Sequence, residues 1–180
     1  ITLDRNVDDA QAIFESLNST GKELSESDLI RNYVLMGLEP SEQRYVYEHM
    51  WRPMELLFDY EKQDSVMDRF FRDYLTMKMT RIPKIDRVYE TFKAYHLNCE
   101  FATIRELCSD LLTYATYYTN MVFQRSDNAV LKSLYSDIGD LRMEVAFPFL
   151  LKVHNDCAEG IISEDDLIEI IKMCISYVFR

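Results

Sequence analysis

Four glycines and four prolines are all that punctuate the 180 residues of this chain. That scarcity limits the fold more than any other feature. An all-β domain needs a tight turn roughly every 8–12 residues, and such turns draw heavily on Gly, Pro, Asn-Gly and Asp-Gly. Neither dipeptide occurs here. Long helices joined by short connections need far fewer breakers. With 48% hydrophobic and 13% aromatic residues the chain can bury a substantial core, which excludes wholesale disorder. The expected fold class is therefore all-α, a multi-helix bundle.

Apolar residues recur at helical spacing along most of the chain. Asp8 and Asp9 suit the start of a helix over residues 10–17, with Ala12, Ile13 and Leu17 on one face. Ser25-x-x-Asp28 resembles a capping box with Asp in place of the usual Glu. It opens a helix over 26–36 that turns Leu29, Ile30, Tyr33 and Val34 inward and stops at Gly37. Pro40-Ser41 starts another helix through 51, with Ser41 as its cap; Pro53 breaks or kinks it, and a short segment continues over 54–60. Residues 64–79 carry Val66, Phe70, Tyr74 and Met77 on one face, and the helical pattern resumes after Pro83 over 85–95. The longest helix is expected over 101–123, followed by 128–138, by 142–155 with Pro148 as a candidate kink, and by 163–179. Ser163 followed by Glu164, Asp165 and Asp166 is a strong start signal, a hydroxyl cap ahead of a first turn of acids. The expectation is about eight to nine helices, with a strand remnant only in the opening Ile1-Thr2-Leu3-Asp4. The chain opens on Ile1 and closes inside an apolar helical pattern, so both ends are expected to continue into a longer protein.

The net charge of -11 disfavours nonspecific binding of nucleic acid by the molecule as a whole. One stretch runs against that balance. Lys78, Arg81, Lys84, Arg87 and Lys93 outnumber Asp86 and Glu90, with Tyr89 and Tyr95 between them. Lys78, Arg81, Lys84 and Arg87 are the candidate DNA-facing cations, weighed against a plain solvated surface. The four cysteines form no Cys-x-x-Cys pair and are read as reduced, mostly core thiols of an intracellular protein, with a cytoplasmic location expected. No apolar run is long enough to span a bilayer, so no membrane partner is expected. His96-x-x-Cys99 has a ligand-like spacing, but no second pair lies near it, and no metal site is assigned. Tyr114, Tyr117, Tyr118 and Phe123 could stack bases, although tyrosine-rich helix faces more often pack against other helices. Asp64, Asp68 and Asp73 share no motif, and no catalytic residue is nominated.

One stretch carries a resemblance. Phe14-x-x-x-Asn18-x-x-Gly21, continued by "KELSESDLIRNYVLMGLEP" and by Trp51-Arg52-Pro53-Met54-Glu55, is similar to the second motif region of the DGQQR-motif bacterial family that includes the GmrSD modification-dependent restriction systems. The match spans residues 3–55; "FFRDYLTMK", "VYETFKAY" and "SYVFR" resemble the family more loosely. Members join an N-terminal ParB/sulfiredoxin-like nucleotide-binding domain to a C-terminal HNH-type nuclease. The resemblance implies that residues 1–40 are the tail of the nucleotide-binding domain and 41–180 a helical domain leading to a nuclease. It assigns Asn18 and Gly21, with Ser19, Thr20 and Lys22, to support of a nucleotide pocket, and Arg31 to a phosphate or to Asp28. It implies no cofactor for the chain itself, but NTP and a divalent metal for the longer protein, whose partners would be its own flanking domains, DNA and a second copy. Gly21 permits close backbone approach, and a turn of consecutive amides can hold an anion. A helix-Asn-x-x-Gly-helix corner is also a common structural connector. A second class of function stays open beside it, an acidic helical module that binds a protein or dimerises.

Overall fold

A computed structural model describes residues 24–58 and 64–178 of the chain, and among these there is no strand. The elements are α1 (Glu26–Leu35), α2 (Pro40–Val46), a π-turn (Tyr47–Trp51), α3 (Arg52–Phe58), α4 (Asp64–Met79), a 3-10 turn (Ile85–Arg87), α5 (Val88–His96), α6 (Ile104–Val122), α7 (Ala129–Asp140), a second 3-10 turn (Glu144–Ala146), α8 (Phe147–Ala158) and α9 (Glu164–Val178). The all-α bundle expected from the sequence is what forms. The strand remnant, the helix over 10–17 and the Asn18–Lys22 corner fall outside the described residues.

Helix starts follow the local chemistry closely. Ser25 Oγ accepts the Asp28 N–H at 3.1 Å and donates to Asp28 Oδ2 at 2.9 Å, closing the capping box. Ser163 Oγ accepts the Asp166 N–H at 3.1 Å, and Asp166 Oδ2 in turn accepts the Ser163 N–H at 3.0 Å. Thr103 caps α6 through the Glu106 N–H, and Asn128 caps α7 through the amides of Val130 and Leu131. Gly37, at φ 83°, ends α1 as a left-handed residue without a Cβ penalty.

Two expectations need correction. Ser41 does not cap α2: Glu39 occupies the cap position with no side-chain bond, and Pro40 stands at the first helical position, where its missing N–H costs nothing. Pro148 does not kink a helix either. It sits in the first turn of α8, after Arg142 has turned left-handed (φ 53°) and the 3-10 turn has closed the previous segment. Pro53 does distort its helix, by widening it. A regular turn would press the ring on the carbonyl four residues back; the π-turn ahead of it relieves this, with Arg52 N–H donating to Tyr47 O.

The core is built around α4 and α6. Helix α4 packs against α1, α5, α6 and α8; α6 packs against α2, the π-turn, α3, α7 and α8, while α9 covers α7 and α8. Aromatic rings tie these layers together. Phe58 of α3 meets Phe70 of α4 at 5.5 Å between centroids, Phe70 meets Tyr118 of α6 at 5.5 Å, and Tyr118 meets Phe147 of α8 at 5.3 Å. Trp51 stacks on Phe71 at 6.0 Å, and Phe71 meets Phe92 of α5 edge-on at 5.9 Å. Such pairs add to the burial of large apolar surfaces.

Candidate functional site

The two sequence blocks that carry the resemblance, α1 and the π-turn with α3, are joined by a polar chain. Asp28 Oδ1 pairs with Arg31 Nη2 at 3.0 Å. Arg31 Nη1 reaches Glu55 Oε1 on α3 at 3.2 Å, and the same oxygen accepts the Trp51 indole N–H at 2.8 Å. Counting Ser25, five side chains run in line from the start of α1 to the buried indole. Helical spacing explains it: Asp28 and Arg31 are three residues apart on one face, and Trp51 and Glu55 are four apart on another. The Arg31–Glu55 contact between α1 and α3 then puts one acid on each terminal nitrogen of one guanidinium, a planar fork suited to hold both. The three charged side chains are each about a third exposed, so solvent still reaches the pair. Arg31 is thus held between two acids on the first described helix, and it makes the Asp28 contact that the sequence suggested.

The basic stretch divides. Lys78 turns inward: its Nζ lies 2.9 Å from Asp110 Oδ2 and over the rings of Tyr114 at 4.7 Å and Tyr74 at 5.4 Å. Asp110 also accepts the Tyr74 hydroxyl at 2.6 Å, so this lysine ties α4 to α6. Arg81, Lys84 and Arg87 stay on the surface and line a cleft of about 430 Å³ with Met79, Ile82, Pro83, Thr91, Ala94 and one acid, Glu90. Arg87 has a loose partner in Glu90 at 3.8 Å.

A cavity of about 1010 Å³ opens between α6, α7, α8 and α9. Its floor is Tyr135 and His154, both buried. His154 Nδ1 is 2.8 Å from Leu150 O, which can only accept, so that nitrogen carries the proton. The Tyr135 hydroxyl therefore donates to Nε2, at 2.7 Å. Burial pulls the His154 pKa down and keeps the ring neutral, while burial pushes the Cys157 thiol up, away from the reactive thiolate. The groove can offer hydrogen bonds from Asn120, Gln124 and Tyr117, but its floor has no activated nucleophile.

Asp73 has the most displaced acid. Burial lifts its carboxyl to about 7 against the pull of Arg72 and Arg69, and Glu144 adds to the lift. Sequence spacing does not reveal this, because the main cause is burial beneath elements from elsewhere in the chain, and Glu144 comes from a distant turn while Arg69 and Arg72 are local. Of the aromatics on α6, Tyr114 and Tyr118 are core residues, not stacking platforms. Among the described residues no group of three or more His, Cys, Asp or Glu side chains is placed to hold a metal ion, and Cys99 Sγ bonds only to the His96 carbonyl at 3.3 Å. No helix among them is long and apolar enough to cross a membrane. No family model matches the chain, and neither a curated protein nor a solved structure matches it.

Proposed function

We propose that this chain is the helical coupling segment of a nucleotide-stimulated, modification-dependent DNA endonuclease of the DGQQR type, acting in defence against foreign DNA. The observation that supports it is the Ser25–Asp28–Arg31–Glu55–Trp51 chain. It runs from Ser25, three residues after Lys22, to an indole packed on Phe71 of the central helix α4. A change of occupancy at the corner, supported by Asn18 and Gly21, would alter the position of α1. Arg31 would pass that change to Glu55 and Trp51, and so to the core. Coupling of this kind needs two arrangements of one packed element, not chemistry in the helices themselves.

The 180-residue chain is expected neither to cut DNA nor to hydrolyse nucleotide. A longer protein carrying an Asp-Gly-Gln-Gln-Arg motif upstream and a histidine-containing nuclease motif downstream is expected to do both. In that protein Arg31→Ala should leave DNA cleavage without nucleotide unchanged and reduce its stimulation by nucleotide about tenfold, the scale of a typical coupling energy. Cleavage by the 180-residue chain alone, or full stimulation in the Arg31→Ala protein, would overturn the proposal.

A further inference from the structure

We infer that the Arg81–Lys84–Arg87 cleft is a docking site for a second copy of this chain, whose acidic, apolar loop between α8 and α9 supplies the complement. The cleft is held in shape. Arg72 Nε donates to Pro83 O at 3.2 Å and fixes the loop from within α4. Thr80 sits at φ 53°, a left-handed conformation that costs a non-glycine residue energy and persists only where its surroundings demand it. Arg81 and Lys84 make no side-chain hydrogen bond or ion pair among the described residues, and both are exposed. Beside them Ile82 is 64% and Ile85 48% exposed, so apolar surface and unmatched positive charge lie together.

The complementary feature lies on the same molecule. Ile161 is 65% exposed, with Glu159, Glu164 and Asp165 exposed around it. Gly160, at φ 72°, turns the chain out at this point. An isoleucine flanked by acids matches a cleft in which Ile82 stands among Arg81, Lys84 and Arg87, in both charge and polarity. Nucleic acid fits less well. A chain of phosphates long enough to fill the cleft would also meet Glu90 in its lining and Asp86 close by in sequence. No aromatic ring lines the cleft to stack a base.

Sedimentation equilibrium of the 180-residue protein tests this. At about 50 mM salt the weight-average mass should rise above the monomer value with concentration, and at about 500 mM it should return towards it, because the contact is surface charge. The double variant Arg81→Glu/Lys84→Glu should weaken association at least about tenfold, and Glu159→Lys/Asp165→Lys should do the same. Each variant alone should associate only weakly, and mixing the two should restore association, since one then offers an intact loop and the other an intact cleft. Circular dichroism confirms that both variants fold. A mass independent of concentration at low salt, association untouched by either reversal, or no recovery on mixing would overturn the inference. So would a monomer that binds a duplex oligonucleotide through Arg81 and Lys84.

Discussion

Asp73 shows how far one side chain can be displaced by its neighbours. Its carboxyl titrates near 7 in the folded chain and at 3.8 in an unfolded one. The folded state therefore holds the proton more tightly. The stabilisation this contributes is complete below the unfolded value and is lost as pH rises through the folded one. Asp73→Asn removes the penalty of ionising a half-buried group. The variant should be more stable than the parent at pH values above about 7, on the order of 1–2 kcal/mol after solvent screening, and equal to it at acid pH. Urea denaturation of both proteins across that window checks the sign; a variant less stable at high pH would refute it. His154 contributes oppositely. Its pKa is lowered by burial, so its stabilisation is present above the ordinary histidine value and lost as pH falls below it. Comparing parent with variant isolates Asp73 from this. Trp51 is the other decisive residue, the one tryptophan in the chain. Trp51→Phe keeps the stacking on Phe71 and loses the bond to Glu55, at about 1–2 kcal/mol; Trp51→Ala opens a core cavity, at about 3–5 kcal/mol. Equal costs in thermal denaturation would mean that the indole N–H contributes nothing.

Helix ends in this bundle are satisfied partly by side chains from other helices. Asp68 of α4 accepts the Ser27 N–H at 2.7 Å and closes the first turn of α1. Glu26 of α1 accepts the Tyr89 N–H at 2.5 Å and closes the first turn of α5. Three helices are thus latched in series, each anion at a positive helix end. Burial raises the Glu26 pKa even though the Tyr89 amide works against it, with Asp68, Asp86 and Glu90 adding to the rise. Glu26→Ala should loosen the start of α5 by about 1 kcal/mol and speed hydrogen exchange at the Tyr89 amide, leaving amides in the middle of α6 unchanged. Uniform acceleration throughout the molecule would show instead that the latch supports global stability. The capping boxes at Ser25 and Ser163 were legible because donor and acceptor lie three residues apart. The Asp68 and Glu26 caps were not, because their partners are 41 and 63 residues away.

The whole molecule carries a net charge of -11, and its charged groups lie mainly on the surface. Like charges on a compact body repel, so screening should stabilise it. At dilute protein and neutral pH, Tm by calorimetry should rise by a few degrees between about 20 and about 500 mM sodium chloride. A fall would mean that exposed pairs such as Lys152–Asp156 and Arg105–Glu42 outweigh the repulsion.

Local chemistry determined the fold class, the starts of α1, α7 and α9, the stop at Gly37 and most inward faces, including Ile30 and Val34 on α1 and Phe70 and Tyr74 on α4. Each depends on residues within one or two helical turns, so periodicity and capping reveal it. Tertiary packing alone decided that Lys78 turns inward while Arg81 and Lys84 remain outside, that Arg31 bridges Asp28 to Glu55, and that Asp73 keeps its proton near neutrality. It also set Tyr135 against His154 and made Pro148 a helix start. The physical reason is common to these cases: charge, burial and hydrogen-bond partnership depend on what lies across the interface, and the facing residue comes from a distant part of the chain.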